Sequence, residues 1–248
     1  MVGDRSVGLK DVTLVRGRHT VFEGLSLELT ETRIGLIGDN GAGKSSLFRL
    51  LCGLETPSQG TVWLHGHDIS TPQRAQPSVG MVFQNPDEQI IFPTVEEELA
   101  LGLEVSGLSR RVARERAREW LQARGLGHWA ERAITSLSQG QRQHVCWLAL
   151  TIAAPRLLLL DEPFASLDLP GQALLDHEIR QASQQIIVST HLLDHVRHFE
   201  RVIWLADGAV RADGRGGEVC AAYEADVAGR IAAHALRIDA EVLTPTEN

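Results

Sequence analysis

The stretch Gly38-Asp39-Asn40-Gly41-Ala42-Gly43-Lys44-Ser45-Ser46 decides how this chain folds. It matches G-x-x-x-x-G-K-[ST] in full. Before it stands RIGLIG (33–38), a short apolar run ending in glycine, the pattern of a fully buried strand. After it, KSSLFRLLCGL (44–54) shifts to helical spacing. Strand, glycine loop and helix in that order form a cradle for phosphate. Gly38, Gly41 and Gly43 let the backbone turn successive N–H groups inward. The helix N-terminus adds its partial positive charge. Lys44 supplies an ammonium for the β and γ phosphates, Ser45 a hydroxyl for Mg²⁺, and Ser46 a further donor. Asp39, Asn40 and Ala42 complete the loop.

Outward from the loop, the chain alternates strand and helix. VGLKDVTLV (7–15) and GLSLELT (24–30) alternate apolar and polar residues, as half-buried antiparallel strands do. TVWLHGHDI (61–69) reads as one further strand. From about residue 94 to 155 the character turns helical. Ser109 stands where it can cap SRRVARERAREWLQARG, in which Ala113, Ala117, Trp120 and Leu121 share an apolar face. RLLLLDEP (156–163), QQIIVST (184–190) and RVIWLADGAV (201–210) are apolar strands again, and the tail from about 216 is Ala-rich and helix-prone. This order predicts an α/β sheet with a mainly helical insertion. The expected units are 1–215, with the helical subdomain at about 85–155, and a tail at 216–248.

Composition narrows the function classes. A net charge of −8 over 248 residues argues against a general nucleic-acid binder. No apolar run reaches membrane-spanning length, and MVGDRSVGLK lacks the apolar core of a leader peptide. Cys52, Cys146 and Cys220 have neither metal spacing nor a disulfide framework and are expected to be reduced and semi-buried.

RLLLLDEP puts Asp161 and Glu162 at the end of a buried strand. Adjacent strand residues diverge, so the two carboxylates can take different tasks. Asp161 would orient Mg²⁺ through its water shell, and Glu162 would face the attacking water as general base or water positioner. In TSLSQGQRQHVCWLALTIA (135–153), Ser138 and Gln141 have capping-box spacing, and Gly140 leaves the backbone open to close approach. From the residues alone this reads first as a well-capped helix; the alternative is a further anion-binding helix end, which one phosphate cradle does not require.

Leu137–Gln141, LSQGQ, resembles the LSGGQ signature of ATP-binding-cassette ATPases. Ser166–Asp168 after the DEP run resembles their D-loop, Ser189–His191 their switch histidine, and Gln84 after VGMVF their Q-loop glutamine. The motifs follow the family's order across about residues 9–215. The resemblance implies a P-loop NTPase with a RecA-like, mainly parallel core, an N-terminal antiparallel β subdomain and an inserted helical subdomain. It implies ATP and Mg²⁺, with Gln84, Glu162 and His191 at the γ-phosphate and Ser45, Gln84 and Asp161 about the metal. It also implies a head-to-tail dimer, in which Ser138, Gln139, Gly140 and Gln141 serve the partner's nucleotide. Gln139 stands where glycine is usual, and Arg16 stands where an adenine-stacking aromatic is usual. A guanidinium can stack on a purine.

Other features read more plainly. His191 and His195 stand four apart, but no third metal ligand accompanies them; His195 and His198 are expected at the surface. RRVARERAR reads as a solvated amphipathic helix, and His65 and His67 as sharing one face of a strand. FQNPDEQIIFP (83–93) and the residues after it resemble the energy-coupling-factor branch, which powers uptake of vitamins and of cobalt or nickel ions. That branch implies a homodimer, or a heterodimer with a paralogue, at the cytoplasmic side of the inner membrane. It also implies a transmembrane coupling protein and a substrate-binding membrane subunit, with no nucleic acid. Asn85–Phe92 would then line a groove for a helix of the coupling protein, with Asp87 and Glu88 as polar contacts at its edge. The alternatives are another transporter class, or a non-transport member acting on nucleic acid or ribosomes.

Overall fold

In the run Leu157–Leu160 every residue is fully buried, because the strand it forms is covered on both faces. Leu157 and Leu159 join one apolar cluster, and Leu158 and Leu160 join another. The period of two along a strand sends alternate side chains to opposite layers, so a doubly covered strand must be apolar throughout. The computed structural model describes residues 7–70 and 78–242, with side chains to His234. The outer limits of the expected units, at residues 1–6 and 243–248, lie outside the described residues.

The central sheet has six strands in the order β10-β9-β3-β8-β7-β6. They are β3 (Arg33–Ile37), β6 (Val79–Val82), β7 (Leu157–Asp161), β8 (Gln185–Ser189), β9 (Arg201–Ala206) and β10 (Ala209–Gly214). Pairing is parallel from β9 through β6, and β10 closes the sheet as an antiparallel hairpin on β9. The other sheet is antiparallel: β2 (His19–Leu29), β1 (Val7–Arg16), β4 (Gln59–Leu64) and β5 (His67–Asp68), in that spatial order. Helix α1 (Lys44–Leu51) follows β3, and its Leu47, Phe48, Leu50 and Leu51 fill the space between the two sheets.

Helices α2 (Val95–Val105), α3 (Arg110–Ala123) and α4 (Gln139–Ile152) stand between β6 and β7. Ala113, Ala117 and Leu121 of α3 are buried as the spacing predicts, while Trp120 is only half-buried and carries the Arg124 guanidinium over its ring at 3.2 Å. Ser109 is the N-cap residue of α3 but makes no side-chain capping bond. Helix α5 (Leu169–Gln181) follows β7, and α6 (Gly216–Val242) ends the described chain. α6 starts against the edge hairpin through buried Val219 and Cys220.

Some sequence expectations change. TVWLHGHDI is a hairpin, not one strand: His65 and Gly66 both have positive φ, 49° and 81°, as a two-residue hairpin turn of the primed kind requires. His65 is therefore a buried turn residue and His67 an exposed strand residue, and they share no face. His195 is not a surface residue. Its ring stacks on Phe164 at 3.8 Å and its Nε2 lies 3.2 Å from Gln172 Oε1. Cys146 and Cys220 are fully buried, and only Cys52 is intermediate.

Candidate functional site

The turn from β3 into α1 is built on glycines, two of which leave no room for a side chain. Gly38 has φ 140°, and a side chain there would strike the carbonyl of Leu205. Gly43 has φ 105° and caps α1; a Cβ would stand 2.6 Å from the Phe22 ring. Gly41, at φ 84°, has open space around it, which leaves the loop's outer side free for a ligand. Lys44 is only 9% exposed, and its Nζ donates to the carbonyls of Gly38 (2.7 Å) and Asp39 (3.0 Å). Burial pushes this ammonium below its ordinary pKa, against the opposing pull of Glu162 and Asp161.

Around this loop lies a cavity of about 730 Å³. Gly38, Asp39, Asn40, Gly41, Gly43, Lys44, Ser45 and Ser46 line it, with Gln84, Asp161, Glu162, His191 and Arg16. Ala42 is buried behind the loop. Asp161 ends β7 and is 7% exposed. Glu162 follows at φ 50°, a left-handed conformation uncommon for a carboxylic residue. Its N–H donates to Ser189 O at 2.9 Å, tying it to the end of β8. Its Oε2 accepts from the His191 N–H at 3.3 Å and lies 2.8 Å from His191 Nδ1. Glu162 and His191, 29 residues apart, thus form one polar unit at the wall of the cavity. Among the described residues, no group of three or more His, Cys, Asp or Glu could hold a metal ion.

Residues that sequence reasoning passed over also line the cavity: His19, Val21 and Tyr223. Tyr223 comes from α6, and no local pattern announces it. Arg16 reaches the cavity with its guanidinium committed. Nε donates to Glu55 Oε1 at 2.6 Å and Nη2 pairs with Oε2 of the same carboxylate.

Ser138–Gln141 stand elsewhere. The expected capping box is formed: Gln141 N donates to Ser138 Oγ at 3.2 Å, and Ser138 N to Gln141 Oε1 at 3.1 Å. These residues line a different cavity, of about 640 Å³, with Ser166, Leu167 and Asp168. The chain therefore does not bring its own signature-like helix end to its own phosphate loop. A Cβ on Gly140 would meet Leu167 at an ordinary 3.4 Å, so among the described residues nothing demands glycine there.

The stretch 83–93 turns on its own hydrogen bonds. The Asn85 side chain accepts from Asp87 N (3.1 Å), and Gln89 Oε1 accepts from Phe83 N (3.2 Å). Asp87 pairs with Arg142 of α4 at 2.9 Å. The buried Glu98 carboxylate accepts from the N–H groups of Ile91 and Phe92, both at 2.9 Å. The backbone is thereby fixed with the Ile91 side chain 73% exposed.

A family described as ABC transporter matches residues 22–165. The biotin transport ATP-binding protein BioM of Rhodobacter capsulatus is 44% identical over 220 residues, covering 88% of this chain and 94% of its own. The protein of that name from Rhizobium etli is 36% identical over 207 residues, covering 84% and 92%. Among solved structures, CbiO1 of Clostridium perfringens, described as part of the ABC transporter complex CbiONQ, superposes with a TM-score of 0.76. It is 25% identical, over 97% of this chain and 100% of its own. The ATP-binding cassette MJ0796, solved as a dimer bound to ADP and Pi after hydrolysis, gives 0.73 at 26% identity, over 84% and 98%. These likenesses run over most of the chain, which belongs to the ABC transporter family as one of its ATP-binding, ATP-hydrolysing cassettes.

Proposed function

We propose that this chain powers an energy-coupling-factor importer for a micronutrient, with biotin as the first cargo to test. One observation carries the catalytic part: Lys44, Ser45, Gln84, Asp161, Glu162 and His191, from separate parts of the chain, face a single cavity. ATP lays its phosphates against the loop N–H groups, and Lys44 exchanges its carbonyl partners for phosphate oxygens. Ser45, Gln84 and Asp161 offer only oxygen donors, the set that suits Mg²⁺. Bound there, Mg²⁺ would neutralise charge on the β and γ phosphates. Glu162 takes a proton from the attacking water as general base, held in orientation by His191, which also reaches the γ-phosphate. Arg16, its N–H edge occupied by Glu55, has its flat faces left to stack on adenine.

The Ser138–Gln141 helix end acts on the nucleotide of a second subunit. The Ser138 hydroxyl accepts from Gln141, so its own proton is left to donate to a phosphate. ATP thus joins two subunits head to tail, and hydrolysis with phosphate release parts them. The helical segment at about 85–155 is read as an inserted subdomain that transmits this motion. Exposed Ile91, with half-buried Ile90 and Phe92, receives a helix of a transmembrane coupling protein. A separate membrane subunit binds the cargo, and the cassette works at the cytoplasmic side of the inner membrane as a homodimer. The two BioM relatives support biotin as cargo.

The test is affinity purification of the tagged chain from detergent-solubilised membranes, together with uptake of labelled biotin. Two membrane proteins should co-purify, and Lys44→Ala should abolish uptake. Uptake of cobalt or nickel instead of biotin would change the cargo and keep the mechanism. Recovery with DNA or ribosomes would overturn the transporter reading.

A further inference from the structure

Asp39 puts a carboxylate into a loop that must receive a highly charged polyphosphate. Left free, it would oppose binding. It is not free. The Tyr223 hydroxyl donates to Oδ1 at 2.7 Å, and Arg230 donates from Nη1 to Oδ2 at 2.6 Å and from Nη2 to Oδ1 at 3.2 Å. The two partners stand seven apart on α6, so both fall on one side of the helix. Asp226, between them, holds Arg230 Nε at 2.9 Å and fixes the fork from behind. Tyr223 is braced edge-on against Trp204 of β9 at 5.3 Å, and it also lines the cavity. The bonds from Arg230 and Tyr223 hold the Asp39 carboxyl below its ordinary pKa, while burial first, and the bond to Asp39 second, hold the Tyr223 hydroxyl above its own, so the charge pattern persists at neutral pH.

We propose that Tyr223 and Arg230 are positioning residues for ATP binding. They hold the Asp39 carboxylate aside and neutralise it, so the C-terminal helix sets how strongly the phosphate loop takes up nucleotide. This rests on ATP occupying the Gly38–Ser46 loop. It adds to that reading a control exerted from 184 and 191 residues along the chain.

The experiment measures ATP affinity and steady-state hydrolysis on the full chain with Arg230→Ala, Arg230→Lys, Asp39→Asn, the Asp39→Asn/Arg230→Ala pair and Lys44→Ala. Arg230→Ala should raise KM for ATP roughly three- to fivefold at low salt, the upper end of the scale for an exposed charge pair. The loss should fall on KM rather than kcat, shrink as salt is added, and be largely restored by Arg230→Lys. In the Asp39→Asn background, Arg230→Ala should change KM by less than about twofold, since no carboxylate remains to neutralise. An unchanged KM in Arg230→Ala, or an equal rise in the Asp39→Asn background, would overturn the proposal. ATP affinity unaffected by Lys44→Ala would instead overturn the site itself.

Discussion

Glu162 holds an unfavourable backbone conformation and a close contact with His191 at the same time. Such strain persists where the surroundings impose it, here through the bond from Glu162 N–H to β8. Glu162→Gln keeps the shape and removes the proposed base. Turnover should fall by about two to four orders of magnitude while ATP binding remains, as single-turnover and binding measurements would report; undiminished hydrolysis contradicts the role. Gly43→Ala adds a Cβ against Phe22 at φ 105°. Thermal unfolding should register a loss of about 1–3 kcal/mol, with nucleotide binding weakened in parallel. The Asp39 clamp has a definite pH window. Its carboxyl is lowered by bonds from Arg230 first and Tyr223 second. A carboxyl lowered on folding stabilises above its unfolded value and loses that as pH falls through the folded one. The stability gap between the native chain and Asp39→Asn should therefore hold at neutral pH and close below about pH 3.8. Burial pushes the Cys52 and Cys146 thiols up to about 12, so both should resist alkylation at pH 8 unless the chain is unfolded. At this scale the loop, Asp161, Glu162, Gln84 and His191 are legible because each sits in a short motif of its own and the motifs follow the family's order. Tyr223 and the Glu55 partner of Arg16 are not, because contacts 184 and 39 residues apart leave no local mark.

Helix α4 shows what an element's end contributes. Its reciprocal cap satisfies two backbone donors that the first turn would leave open. Ser138→Ala should destabilise the chain by about 1 kcal/mol and also weaken ATP-driven association, which a capping role alone would leave intact. The cap is legible because S-x-x-Q before an apolar run is a local signature. The central strands are legible for a different reason: burial on both faces forces continuous apolar runs. The β4–β5 hairpin escapes sequence reading because a histidine supplies one of its two positive φ values, where asparagine or glycine is the usual sign. The placement of α6 escapes it too. An Ala-rich helical tail announces helix but not the surface it meets, and that surface is the edge hairpin and the phosphate loop.

On the proposed reading the molecule carries two halves of a nucleotide site and keeps them apart. The phosphate loop, carboxylates and His191 line one cavity; Ser138–Gln141 line another. A single chain does not join them; on the proposed reading a second copy turns to meet the first. If two copies meet about a two-fold axis, each phosphate-loop cavity faces the other copy's Ser138–Gln141 cavity, both are filled at once, and the pair closes without propagating. That split is legible from the sequence only as a surplus helix end without a ligand; the structure turns it into a separation in space. The most direct measurement is the solution mass of Glu162→Gln by light scattering, with and without Mg-ATP, beside the same chain carrying Lys44→Ala. ATP should double the mass of Glu162→Gln and leave the Lys44→Ala form at its original mass. A chain that binds ATP through Lys44 and stays the same size would contradict the proposed reading.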